Sequence, residues 1–492
     1  MSFGDEGPPA GDDGEERILL SDVGKLARRT RRRIVGAARA DDRPTFITLL
    51  REHLGDHLEG LDVVEESWPA YDLVNVQVGL DAWLAQSGRT HRLVGMSRHR
   101  GQEFGLGDLL HGGEAFGPVP GNVAWTNLTS GPDGQQARAV RAGLYLVTEP
   151  STGTHLALLV QAADPEYGAG AVQLHVVADT AGGAGTAAAE IRALAIEHNV
   201  FRGQVISFGR DMFGERATAL QFHSRPSLTA ADVILPEETL ATIRRQVVGV
   251  AEHRDRLLAA GQHLKRGLLL YGPPGVGKTH SVRYLMSQLL GVTIVELTGD
   301  SLHLIDTACS VARTLQPAMI VVEDVDLIAE DREMDGGQNP LLFALLNEMD
   351  GLAEDADVVF LLTTNRAEVL ERALAARPGR VDQAVELELP DAAARRQLFK
   401  LYRGQLTVDE SRLDGLIART EAVTASFLKE LLRRAALLAA SETDDEHLSV
   451  SADQLDAALE ELMSTRNAMT RVLLGGERPA QGSRSESSLS WE

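Results

Sequence analysis

The chain has 492 residues, 43% of them hydrophobic and 24% charged, enough apolar material for two or three separately cored domains. A formal charge of −23 argues against broad binding to polyanions, and the single cysteine, Cys309, excludes an intrachain disulfide or a cysteine-rich metal centre, which suits the reducing compartment of an expected cytoplasmic location. No apolar run approaches the roughly 20 residues of a membrane span, and the acidic start does not read as a signal peptide, so no membrane association is expected.

Residues 1–20 begin "MSFGDEGPPAGDDGEER", acidic and rich in Gly and Pro, and read as a disordered arm. "KLARRTRRR", residues 25–33, then reverses the sign. In so acidic a chain a solvated face that neutralises the arm is preferred over a nucleic-acid patch, and nucleic acid is not an expected partner. The periodicity is helical over residues 34–58. His53 and His57 stand there at i,i+4, but "HLGDH" lacks the Glu of a zincin motif and no third ligand is in view. Strand signals dominate from 61 to 222: "LYLVTEPSTGTHLALLV" (144–160) predicts a hairpin and "VQLHVVAD" (172–179) its neighbour. A helix over 186–198 and a strand over 204–208 complete an N-terminal α+β domain, residues 21–227. It holds no catalytic constellation and reads as a recruitment domain for a protein client.

From residue 228 strands and helices alternate. "RGLLLYGPPGVGKTH" (266–280) is a short buried strand, a glycine loop and a helix, the context in which G-x-x-x-x-G-K-[ST] signals phosphate binding. Gly272, Gly275 and Gly277, with Pro273, Pro274 and Val276 between them, let backbone N–H groups converge on phosphate oxygens at a helix N-terminus. Lys278 can reach the β and γ phosphates of ATP and the Thr279 hydroxyl can ligate Mg²⁺, with His280 next in the loop. Further strands follow at 292–297, 318–322, 358–362 and 385–389. Apart from the last, "VELEL", whose alternation suits an edge, they are near-continuously apolar, as parallel strands covered on both faces should be. The fold class is α/β, a parallel sheet with nucleotide at the carboxyl ends of its strands.

"GPPGVGKT", "VVEDVD", "LLNEMDGL", "TTNR" and "ARPGRVD" occur in the order and spacing of the AAA ATPases, and residues 228–465 resemble the branch that builds hexameric protein-remodelling machines. The resemblance implies an αβ nucleotide domain (228–392), a C-terminal helical lid (393–465) and a homo-oligomer, a hexamer, whose active sites are completed by neighbouring subunits; residues 466–492 read as a flexible tail. Carried over residue by residue, Asn365 matches the polar sensor that orients attacking water, Arg377 and Arg380 match the pair that reaches into the adjacent site, and Asp350, Gly351 and Leu352 resemble the intersubunit signalling segment.

Three features depart from the family. Its strand pattern is Asp-Glu-x-Asp, whereas residues 323–326 read Glu-Asp-Val-Asp. Aligning Asp326 with the final Asp makes Glu323 the metal-side residue and Asp324 the base; the other register puts Val325 at the base position and abolishes hydrolysis. The first is preferred because it uses all three carboxylates. Ile234 and Leu235 replace a glycine pair, and Ala425 a glycine, near the expected adenine pocket. The segment after Gly299 lacks the aromatic–hydrophobic–glycine loop of threading unfoldases, leaving Leu302, His303, Leu304 and Ile305 as candidate substrate contacts. The sequence thus points to an oligomeric ATP hydrolase acting on a protein partner, with an ATP-loaded non-catalytic scaffold as the alternative and a DNA-handling machine ranked third.

Overall fold

The computed structural model describes residues 44–97, 104–111, 118–164, 169–210, 218–326, 340–353, 355–367, 381–443 and 447–464. These form two compact units, one from the described residues of 44–67, 84–125 and 140–189, the other from 68–83, 126–139 and 190–464. The acidic arm, the basic run at 25–33, Arg377, Arg380 and the C-terminal tail lie outside the described residues.

The N-terminal residues build one sheet from β1 (Val63–Pro69), β2 (Thr90–Ser97), β3 (Val119–Gly121), β4 (Ala124–Thr129), β5 (Gln136–Glu149), β6 (Thr154–Gln161) and β7 (Ala171–Ala178), in the order β1-β7-β6-β5-β2-β3 with β4 beside β5. The expected hairpin is β5–β6, with Leu144 opposite Leu159, and β7 pairs antiparallel to β6 as its neighbour. The helix Phe46–Leu54, capped by Thr45, lays Phe46, Leu49, Leu50 and Leu54 into the same core as Leu144, Leu146 and Leu159. His53 is turned into the sheet, its Nε2 3.0 Å from Val147 O and 3.1 Å from Leu156 O. Among the described residues no group of three His, Cys, Asp or Glu side chains could hold a metal, and no helix is long and apolar enough to cross a membrane.

The second unit is centred on a seven-stranded sheet: β8 (Val205–Arg210), β9 (Thr218–His223), β10 (Arg266–Tyr271), β11 (Thr293–Leu297), β12 (Ala318–Val322), β13 (Val358–Thr364) and β14 (Gln383–Glu386), ordered β14-β10-β13-β12-β11-β8-β9. All pairs are parallel except β8–β9. The near-continuous apolar runs follow from burial on both faces: Val295, Leu297, Ile320, Val322, Phe360 and Leu362 enter one core, and Leu268, Leu270, Ile294, Met319, Val321 and Leu361 the other. β14 is an edge strand, as its alternation predicts.

The strand at 204–208, expected in the N-terminal domain, is instead β8, hydrogen-bonded in parallel to β11 with Ile206 opposite Val295. A parallel partner about 90 residues away leaves no local signature, which is why the sequence groups this strand with its nearer neighbours. Four C-terminal helices, Ala392–Tyr402, Leu413–Arg419, Ala425–Glu442 and Ala452–Met463, close around a core of their own that contains Phe399, Phe427, Leu431 and Leu459.

The segment after Gly299 corrects one sequence expectation. It forms a 3₁₀ turn, Gly299–Leu304, leading into the helix Ile305–Thr314, and buries Leu302 and Ile305 in the sheet core. These two anchor the turn and are not available to touch a substrate; Leu304 is half-buried and His303 is exposed.

The connector after β9 is fastened by Arg225, whose guanidinium donates to four carbonyls: Met286 O (2.9 Å), Leu289 O (3.0 Å), Gly203 O (2.9 Å) and Val292 O (2.9 Å). Arg225→Ala strips charged donors from four partly buried acceptors and should lower unfolding free energy by about 2–3 kcal/mol. Arg225→Lys, which cannot span all four, should recover only part; the midpoint of denaturant unfolding measures both.

Candidate functional site

The site lies where β10, β12 and β13 end together. Tyr271 is in register with Thr364 and Val322 with Leu362, so the loop after β10, the acidic run after β12 and Asn365 after β13 emerge side by side. The loop needs its glycines. Gly272 has φ 142°, and a Cβ there would stand 2.2 Å from Leu387 O; Gly275 has φ 81°, and its Cβ would meet Ser426 Oγ at 2.9 Å. Val276 is buried in the sheet core, Pro274 is exposed, and the helix Lys278–Gln288 begins directly after Gly277. His280 faces the preceding connector, its Nε2 2.8 Å from Asp232 O.

Lys278 is buried, and its ammonium donates to Gly272 O (2.8 Å), Pro273 O (2.9 Å) and Asn365 Oδ1 (2.8 Å), which engages all three donors. Burial holds its pKa below the usual lysine range, and the charges of Asp324 and Asp326 oppose that shift. Asn365 turns its other amide atom to the acidic run, Nδ2 donating to Asp324 Oδ1 at 3.2 Å. One side chain thus bridges the loop lysine and the carboxylate.

The three carboxylates of residues 323–326 have separate environments. Glu323 is hydrogen-bonded to Thr279; its pKa is raised by burial, with further upward pressure from Glu296 and Asp324 and downward pressure from the Thr279 bond and Arg283. Asp324 meets Asn365. Asp326 is buried and accepts from Thr364 Oγ1 (3.0 Å) and Asn365 N (3.2 Å), fastening the ends of β12 and β13 together. Val325, which the alternative register would make the base, is fully buried in the sheet core. The Thr279 hydroxyl and the Glu323 carboxyl, already in contact, are the hard oxygen donors that Mg²⁺ takes, so these residues fit that ion.

Two contacts escaped the sequence reading. Thr363 Oγ1 accepts from Asp324 N at 3.0 Å, and Ser426, at the start of the helix Ala425–Glu442, donates to Gly275 O from its N (3.1 Å) and its Oγ (3.3 Å). Thr363 stands inside the quoted motif "TTNR" and Ser426 beside Ala425, but nothing in the order of residues says which hydroxyl meets the acidic run or the loop. On the expected adenine side, Ile234 packs against the core of the C-terminal helices and Leu235 against that of the sheet.

Comparison with known proteins accords with this geometry. The pattern of the ATPase family associated with various cellular activities (AAA) matches residues 268–389, about a quarter of the chain. The human ATPase family gene 2 protein homolog A is 33% identical over 230 residues, covering 44% of this chain and 26% of that protein. ATP-dependent zinc metalloprotease FtsH 3 of Synechocystis is 29% identical over 276 residues, 53% of this chain and 44% of that one. Proteasome-activating nucleotidase 2 of Halobacterium salinarum is 28% identical over 263 residues, 51% and 63% respectively. The chain therefore spans less than two thirds of the length of each of these relatives.

The loop geometry sets an expectation for Gly275→Ala. The added Cβ meets Ser426 and forces an L residue into a left-handed backbone, so affinity for a fluorescent ATP analogue should fall at least about tenfold. Adding Ser426→Gly removes the clash but not the backbone strain, and titration of the double variant should show incomplete recovery.

Proposed function

We propose that the chain, whose residues 268–389 match the AAA ATPase family, is a member of that family and an oligomeric ATP hydrolase that remodels a protein partner. The observation that carries this reading is the chain of contacts Lys278–Asn365–Asp324 beneath the glycine loop, with Glu323 and Thr279 beside it. It supplies a cation for the phosphates, an amide to orient water, and a carboxylate to accept the proton of that water as it attacks. Mg²⁺ held by Thr279 and Glu323 would neutralise charge on the β and γ phosphates. Arg377 and Arg380 complete the site of the neighbouring subunit, because a guanidinium stabilises the transferring phosphoryl and is supplied in trans when its own nucleotide is out of reach.

In this reading the chains form a hexamer, the C-terminal helices act as the lid, and the N-terminal domain selects the client. The relatives' names support a protein client, one being a metalloprotease and another a proteasome-activating nucleotidase. Purified protein with Mg-ATP should release phosphate. Lys278→Ala should lose nucleotide binding, whereas Asp324→Asn should bind ATP and hydrolyse it at least about a hundredfold more slowly, as loss of a general base does. Mixing Asp324→Asn subunits with Arg377→Ala, Arg380→Ala subunits should restore part of the activity. A wild-type hexamer that binds ATP without releasing phosphate would establish the scaffold alternative, and mixed rings as inactive as their parents would remove the trans role.

The client is displaced rather than threaded. A threading grip needs large side chains projecting from the turn after Gly299, where Leu302 and Ile305 are buried and His303 alone of the four candidates is exposed. A folded reporter fused to a client should be released intact in ATP, as followed by its fluorescence with a trap for unfolded protein present. ATP-dependent loss of fluorescence, abolished by His303→Ala with Leu304→Ala, would show threading instead.

A further inference from the structure

We propose that the reversed Glu-Asp order at the end of β12 is imposed by the backbone: residue 324 is held in a left-handed conformation by Thr363, which makes Thr363 a positioning residue for hydrolysis. The catalytic half of this inference rests on Asp324 being the base; the conformational half does not.

Glu323, one residue past β12, still bonds to the sheet, its N–H donating to Leu297 O at the end of β11 at 3.3 Å. At the next residue the chain leaves β11. Asp324 has φ 52°, and its N–H is taken up by the Thr363 hydroxyl at 3.0 Å. Val325 then drops into the core, and Asp326 is fixed by Thr364 and Asn365. Both flanks of residue 324 are therefore pinned, and its positive φ is the turn that joins them. Among non-glycine residues, Asp and Asn adopt this region several-fold more readily than others, because their short polar side chains bond locally; a Glu has no such compensation.

The same turn answers the question of reach. A carboxylate one methylene shorter than the family's Glu would fall short if the backbone followed an extended path. From the left-handed position the Asp324 carboxylate accepts from Asn365 Nδ2 at 3.2 Å, on the same amide whose Oδ1 accepts from Lys278. A Glu on this backbone would carry its carboxylate past Asn365 and leave the amide without its acceptor. Backbone and side chain have thus changed together, and Thr363, buried on β13, supplies the only hydrogen bond to the Asp324 N–H among the described residues.

The conformational claim is tested without catalysis. Glycine ordinarily destabilises a position relative to alanine, but at φ 52° the order inverts, so full-length Asp324→Gly should melt at a higher temperature than Asp324→Ala. Deuterium exchange of the peptide spanning 319–326 should quicken at Asp324 in Thr363→Val, which keeps the side-chain shape and removes the acceptor, and remain slow in Thr363→Ser. The catalytic claim predicts that Thr363→Val lowers kcat about tenfold with the affinity for a fluorescent ATP analogue within about twofold, that Thr363→Ser retains turnover, and that Asp324→Glu is slower than wild type. Alanine melting at or above glycine, or unchanged exchange in Thr363→Val, overturns the left-handed assignment. Asp324→Glu hydrolysing as fast as or faster than wild type overturns the coupling of side chain to backbone. If the wild-type protein hydrolyses nothing, the proposed activity fails, while the melting and exchange results still decide the conformation.

Discussion

A carboxylate removed from water costs several kcal/mol unless hydrogen bonds replace its hydration, and Asp326 is such a group. It accepts from the Thr364 hydroxyl and from the backbone N–H of Asn365, both on the neighbouring strand end, and adds its charge to the field at Lys278. These bonds reward one relative placement of β12 and β13. Once they form, Asn365 has no freedom to leave the acidic run, Asp324 is caught between a fixed residue on each side, and Lys278 finds its third acceptor. The placement of Asn365, Asp324 and Lys278 that the proposed hydrolysis would use therefore follows from the burial and bonding of Asp326.

That arrangement concentrates like charge. Glu323, Asp324 and Asp326 lie within four positions, Glu296 adds to the field at Glu323, and Lys278 and Arg283 are the nearby cations. The site tolerates this by separating the acids. One is buried and bonded to a strand end, one bonded to an amide, and one paired with a hydroxyl beside the phosphate loop. Their environments differ although their chemistry is the same, and this is how neighbouring carboxylates acquire different roles.

How far the sequence could be read depended on whether the cause of each feature was local. The glycine loop is specified residue by residue, since each of its three glycines answers a positive φ in its own turn, and the apolar strands announce their two-sided burial. In the acidic run the sequence offers two registers, and the structure adds that Val325 is buried in the sheet core. What stayed hidden depended on distant partners. β8 looks like any short strand until β11 is beside it, and Leu302 and Ile305 look as available as His303 until the core of the sheet claims them. The left-handed turn at Asp324 is invisible for the same reason: its cause, Thr363, is 39 residues away.

The join between the C-terminal helices and the phosphate loop follows a different logic from the strand ends. Ser426 offers Gly275 O two hydrogen bonds, and Gly275 is the residue at which even a methyl group would collide with Ser426. Net hydrogen bonds of this kind contribute about 1 kcal/mol each, far less than the burial that holds the strands or the helices' own core. Ile234 adds apolar contact from the connector, its partly buried side chain set against the helical core. The helices thus have a core of their own, and two of their contacts to the rest of the unit fall on the backbone of the loop that would cradle phosphates. A movement of the loop by a few tenths of an ångström must be met by Ser426 or break its bonds, so the position of the loop and that of the helix carrying Ser426 are tied through these two bonds.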